Sequence, residues 1–176
     1  MKIINLYINF VEKLNEKTGK VASWLTLLLV LIISYDVVVR YLFDESSVAL
    51  QELEWHIFAL IFLLAAGYTF MADDHVRVDI FYTRFSEKKK AVIDLFGSLF
   101  FLIPFCIVGI LSSLNFVEFS FSVKETSPDA GGLPARYILK SVIPISFFII
   151  LLQGIVVLLK SYLKLSGRDH KETVVD

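Results

Sequence analysis

The chain has 176 residues, 56% of them hydrophobic and only 20% charged, with sixteen phenylalanines and a formal net charge of −1. A soluble core of this length does not need so much apolar residue, so a water-soluble domain is excluded, and nothing calls for a nucleic-acid partner. The single cysteine, Cys106, excludes a disulfide framework or a CxxC redox pair within one chain.

Residues 1–20 carry a pattern of their own. Ile3, Tyr7, Phe10, Val11 and Leu14 recur at helical spacing, with Lys13, Glu16 and Lys17 in the polar sectors. This predicts an amphipathic helix on the inner membrane surface, the alternative being a polar extension of the first apolar run. No small-residue cleavage pattern interrupts that run, so the segment reads as retained rather than as a signal peptide.

Four apolar runs follow, Val21 to Val39, Ile57 to Ala72, Leu95 to Val117 and Ser141 to Leu159. A helix rises about 1.5 Å per residue and the hydrocarbon core is roughly 30 Å thick, so about 20 residues cross it. The second run is short, but Val48, Ala49, Leu50, Leu53 and Trp55 interleave with Gln51, Glu52 and Glu54 and extend it backwards. The runs are continuous rather than alternating, which argues for helices over a membrane β-barrel. The expected fold is therefore all-α: four transmembrane helices over about 21–40, 48–72, 91–117 and 138–163, in a domain spanning 21–163. The interfacial helix 1–20 precedes it and a tail, 164–176, follows.

Within the first span Asp36 and Arg40 lie four residues apart and can pair on one helical face. The choice there is between an interfacial ion pair that sets helix depth and an ion or proton site. On the second, Glu52 and His56 share a face and Glu54 points away, so the acidic start of this helix reads as a rim able to attract a soluble protein or another membrane subunit. His75 and Asp79 flank Arg77 after the second span, and two such groups are too few to hold a metal. His56 and His75 fall near opposite ends of one helix, which argues against a shared haem, and His170 is in the tail. No serine occupies a nucleophile elbow. Pro104 in the third span predicts a kink, and Pro144 reads as a first-turn proline of the fourth. Between these spans Ser127-Pro-Asp-Ala-Gly-Gly-Leu-Pro134 is a turn-rich loop suited to holding a defined shape.

The basic residues orient the bundle. Thirteen of the Lys and Arg residues fall in the terminal segments and the connection between spans two and three, and four in the other two connections. The positive-inside rule then puts both termini in the cytoplasm.

Taken in order, Arg40-Tyr41-Leu42-Phe43, Ser46, Glu52-Leu53, Phe58 and His75-Val76-Arg77-Val78-Asp79 resemble the first half of the small, DctQ-like membrane subunit of tripartite ATP-independent periplasmic (TRAP) transporters. Ser127-Pro128, Gly132-Leu133-Pro134, Ile143-Pro144 and Gln153 resemble its second half. The chain departs from that pattern at Asp73-Asp74, where a glycine or alanine often precedes the histidine, and at Ala49-Leu50, where a tryptophan is common.

The resemblance implies a bacterial inner-membrane subunit, not an enzyme, that pairs with a large membrane subunit. That partner is expected to hold the sodium ions and to move an organic acid by an elevator mechanism, after a periplasmic binding protein delivers it. Sialic acid, C4-dicarboxylates and keto acids are all substrates of such systems. No substrate, cofactor or metal site is expected in this chain. Structural or interface roles carry over to Arg40, Glu52, His75, Arg77, Asp79, Ser127, Pro128, Gly132, Pro134, Pro144 and Gln153, with Glu52 and Glu54 as candidate docking residues. Three other readings stand beside this one: a self-sufficient small transporter using Asp36, a membrane enzyme or electron carrier, and an accessory subunit of an unrelated complex.

Overall fold

The structure is a computed structural model and describes residues 2–72, 82 and 85–167. Every element in it is helical: α1 (Lys2–Phe43), α2 (Val48–Met71), α3 (Glu87–Gly97), a π-helical turn (Ser98–Leu102), α4 (Ile103–Ser122) and α5 (Arg136–Leu165). Among the described residues four stretches are long and apolar enough to cross a membrane: α1, α2, the continuous rod from Glu87 to Ser122, and α5.

α1 runs for 42 residues, roughly 63 Å, without a proline to stop it. Residue 20 is not a break. The segment expected as a separate surface helix is the first half of α1 and supplies most of its buried residues, Ile8, Val11, Asn15 and Gly19. Ile8 and Val11 pack on Val156 of α5, with Tyr7, Leu152 and Leu159 around them. Tyr7 OH also donates to Leu152 O and Glu12 pairs with Lys160, which ties these turns to α5. α1 ends where Asp44 takes a left-handed φ of 55°, a conformation aspartate tolerates. Ser47 then caps α2 by accepting from Leu50 N at 3.4 Å.

Pro104 lacks an N–H and its ring would press on the carbonyl four residues back. The chain answers with the π-helical turn just upstream, in which Ile103 N reaches Ser98 O. Pro144 corrects the sequence reading. α5 begins at Arg136, so this proline lies inside the helix and not in its first turn. The start is displaced because Arg136 N donates to Glu125 O across the loop and Ala135 turns the chain with a φ of 61°.

The helices form a row, α1 on α2, α2 on α5 and α5 on α4, with α3 also against α5. α5 is the centre: 33% of its apolar window is buried, against 11% in each of the other three. Close approach depends on small residues. A Cβ at Gly67 would fall 2.5 Å from Ile149 of α5, and one at Gly109 of α4 2.8 Å from Phe147. A one-layer row leaves large surfaces open. The accessible area is 12010 Å², where a compact globular protein of 20.1 kDa would expose roughly 8,700 Å². The excess is apolar, with Trp24 of α1 72% and Phe101 beside α4 77% exposed. Water would not tolerate this, whereas lipid or an apolar partner helix would.

Candidate functional site

A network of polar side chains gathers at the end of the row where α1 meets α2 and α4 meets α5. Glu52, one turn into α2, is 4% exposed and is gripped by the α4–α5 loop. Ser127 Oγ donates to its Oε1 at 2.5 Å, the Leu133 backbone N–H to its Oε2 at 2.6 Å, and Arg136 Nη2 to its Oε1 at 2.8 Å. Two of these donors are neutral and one is cationic, so the carboxylate remains an acceptor with its charge compensated.

The loop is preorganised around that grip. Ser127 N donates to Leu133 O at 3.0 Å, which closes a ring, and Ser127 Oγ also accepts from Asp129 N at 3.1 Å. Gly132 is needed for space: a Cβ there would lie 2.4 Å from Ser127 Oγ and 2.8 Å from Glu52 Oε2. Pro128 and Pro134 are both exposed and bracket the turn. A second ion pair, Lys140 with Glu125, ties the loop to α5. Hydrogen bonding from Lys140 holds the Glu125 carboxyl below its ordinary range. Lys140 Nζ also stands 3.9 Å from the centre of the Phe116 ring, and the Arg136 guanidinium lies 5.6 Å from that of Trp55. Between α2 and α5 these groups line a cavity of about 240 Å³ with Trp55, Ala59, Leu63, Leu139 and Ile143.

Glu52 is thus not part of an exposed acidic rim, as the sequence suggested; its charge is spent on the loop. Glu54 is half-buried, and its Oε1 has no hydrogen-bond partner among the described residues. His56 Nδ1 lies 2.6 Å from Glu52 O, and since a carbonyl can only accept, Nδ1 carries the proton. Asp36 and Arg40 form an ion pair, with Asp36 3% and Arg40 45% exposed, so the charge faces outward through arginine. Gln153, a motif residue, accepts from Asn15 Nδ2 at 2.8 Å in the interior, where Ser146 Oγ donates to Leu63 O at 2.6 Å. His75, Arg77 and Asp79 lie outside the described residues.

Arg136, Glu125, Lys140 and Asn15 were not singled out by sequence reasoning, although Arg136 and Lys140 stand four apart beside the recognised turn. Their spacing was the available signal. No group of three or more metal-ligating side chains converges among the described residues. The arrangement accomplishes positioning: every bond holds a loop or a helix contact in place, and none activates a nucleophile or a base.

A row of bilayer-length helices locked at one end by such a network defines a polytopic helical membrane protein. Residues 29–163 match the family model described as "Tripartite ATP-independent periplasmic transporters, DctQ component", and the chain belongs to this family, the small component of these transporters. Direct comparison with curated proteins gives no match. The matched span contains Glu52, Ser127, Arg136 and Gln153 and leaves out the N-terminal half of α1 with Asn15.

Proposed function

We propose that this chain is the fixed scaffold partner of a large elevator subunit in a sodium-coupled transporter for an organic acid delivered by a periplasmic binding protein. Membership of the small-component family over residues 29–163 is the observation that carries the reading. A static role is supported by the way the polar side chains are used: Glu52, Gln153 and Glu125 are each engaged within the chain. The open apolar faces of α1 and of the Glu87–Ser122 rod offer the area that a membrane partner would need.

In this reading the chain lies in the bacterial inner membrane with both termini in the cytoplasm, because the basic residues favour that side. The Ser127–Pro134 loop then faces the periplasm as a preformed surface for the binding protein, and of the two docking candidates Glu54 is the one not held by that loop. Arg40, Pro128, Pro134 and Pro144 act structurally or at the interface, as do His75, Arg77 and Asp79. The N-terminal half of α1 braces the bundle at the cytoplasmic boundary.

The test is co-expression with a cognate large subunit and binding protein. The two membrane chains should co-purify, and sodium-dependent uptake in proteoliposomes should require both. Uptake by the large subunit alone at the same rate, or by this chain alone, would overturn the proposal.

A further inference from the structure

A second recess lies far from the Glu52 network, where α3 begins. It has a volume of about 370 Å³ and is lined by Phe85, Lys88, Lys89, Val92 and Ile93. Its chemistry is divided. Val92, Ile93 and Phe85 give an apolar wall, all of them exposed, and Lys88 and Lys89 give two ammonium groups just before the apolar part of the rod. Three other lysines at this end have a carboxylate within reach: Lys90 and Lys164 share Glu87, and Lys160 pairs with Glu12. Lys88 and Lys89 pair with no carboxylate among the described residues.

We infer that this recess is a binding site for an anionic phospholipid, with the phosphate between Lys88 and Lys89 and an acyl chain along Phe85, Val92 and Ile93. Two uncompensated positive charges at headgroup depth call for a negative group, and an apolar wall on the membrane side calls for hydrocarbon. An anionic lipid supplies both in one molecule. A soluble anion would leave the wall uncovered, and a neutral lipid would leave the charges unmatched. The exposed Phe96 and Phe100 rings, stacked with centroids 5.9 Å apart, continue the apolar track along the same rod. The site follows from local chemistry and does not depend on which way the chain crosses the membrane.

Native mass spectrometry of the full-length chain in detergent, supplied with phosphatidylglycerol and phosphatidylcholine of equal acyl length, tests this. One phosphatidylglycerol should be retained preferentially. Neutral substitution of both lysines, Lys88→Gln with Lys89→Gln, should weaken that retention about 30-fold, on roughly a fivefold loss for each charge near an anionic lipid surface. Lys13→Gln with Lys17→Gln removes the same charge elsewhere and should leave it intact. Ile93→Asn should weaken retention without changing the lysines. Circular dichroism checks that each variant keeps its helices. Equal retention of both lipids by the unaltered chain would overturn the inference, as would full displacement by inorganic phosphate. So would unchanged retention in the Lys88/Lys89 variant, including the case in which that variant instead loses the large subunit, which would assign the recess to a protein partner.

Discussion

Alanine at Gly132 should open the α4–α5 loop without melting the bundle. A Cβ at that position would stand 2.4 Å from Ser127 Oγ, 2.5 Å from Ser127 Cβ and 2.8 Å from Glu52 Oε2, where non-bonded atoms prefer about 3.5 Å or more. Neither neighbour can retreat freely. Ser127 Oγ is 2.5 Å from Glu52 Oε1, and Glu52 Oε2 is 2.6 Å from Leu133 N, so moving either one stretches the bonds that close the loop. Overpacking of this kind costs about 1–3 kcal/mol. Charged to the loop alone, that raises the opening equilibrium about 5- to 150-fold. The assay is hydrogen exchange at Ser127 and Leu133, whose N–H groups donate to Leu133 O and Glu52 Oε2. Both amides should exchange faster by that factor while amides inside α2 and α5 keep their rates. Gly131 is the control. Nothing lies within 4 Å of a Cβ there, so asparagine, which tolerates its φ of 82°, should leave both amides protected. Unchanged exchange at Ser127 and Leu133 in Gly132→Ala, or a uniform rise across all helices, would refute the account.

Removing either partner of the interior pair, by Asn15→Leu or Gln153→Leu, should cost about 1–2 kcal/mol, because the remaining amide loses its partner. The double variant should cost less than the sum by about 0.6–1.7 kcal/mol, read from denaturation in mixed micelles. Gly97→Ala should stabilise the rod by about 0.5–1 kcal/mol, since it lies in a helix and nothing is within 4 Å of the added carbon; a lower melting temperature would contradict this. The Glu125 carboxyl is held below its ordinary value of 4.5, so its stabilising pair with Lys140 is fully present above pH 4.5 and lost as pH falls through the lowered value. Loop protection, corrected for intrinsic exchange, should therefore be flat from neutrality to pH 4.5 and fall below it, and Lys140→Gln should shrink the step, the influence of Arg136 remaining.

The four apolar stretches could be read directly because hydropathy accumulates along a continuous segment and needs no knowledge of neighbours. Extension of α2 back to Val48 followed equally from local pattern, since no glycine or proline interrupts it. Pro144 was misplaced for the converse reason. The helix start depends on the Arg136 N–H reaching Glu125 O, a contact made only when the loop has closed. The π-helical turn before Pro104 was invisible as well: proline announces a lost hydrogen bond, but whether the chain kinks or shifts register depends on what packs against it. At the N-terminus an amphipathic pattern is the same whether its apolar face meets lipid or another helix, and here Ile8 and Val11 meet Val156.

By itself, the sequence determined the class of this protein, the extent of its membrane-crossing runs and, through the order of its motifs, the family to which it belongs. Those properties are written in composition and spacing, which are local. Tertiary structure alone decided what Glu52 does. Its partners Ser127, Leu133 and Arg136 lie 75, 81 and 84 residues away, and a buried carboxylate takes whichever donors the fold delivers to it. A glutamate that the sequence left free to face outward is thereby committed to shaping the α4–α5 loop.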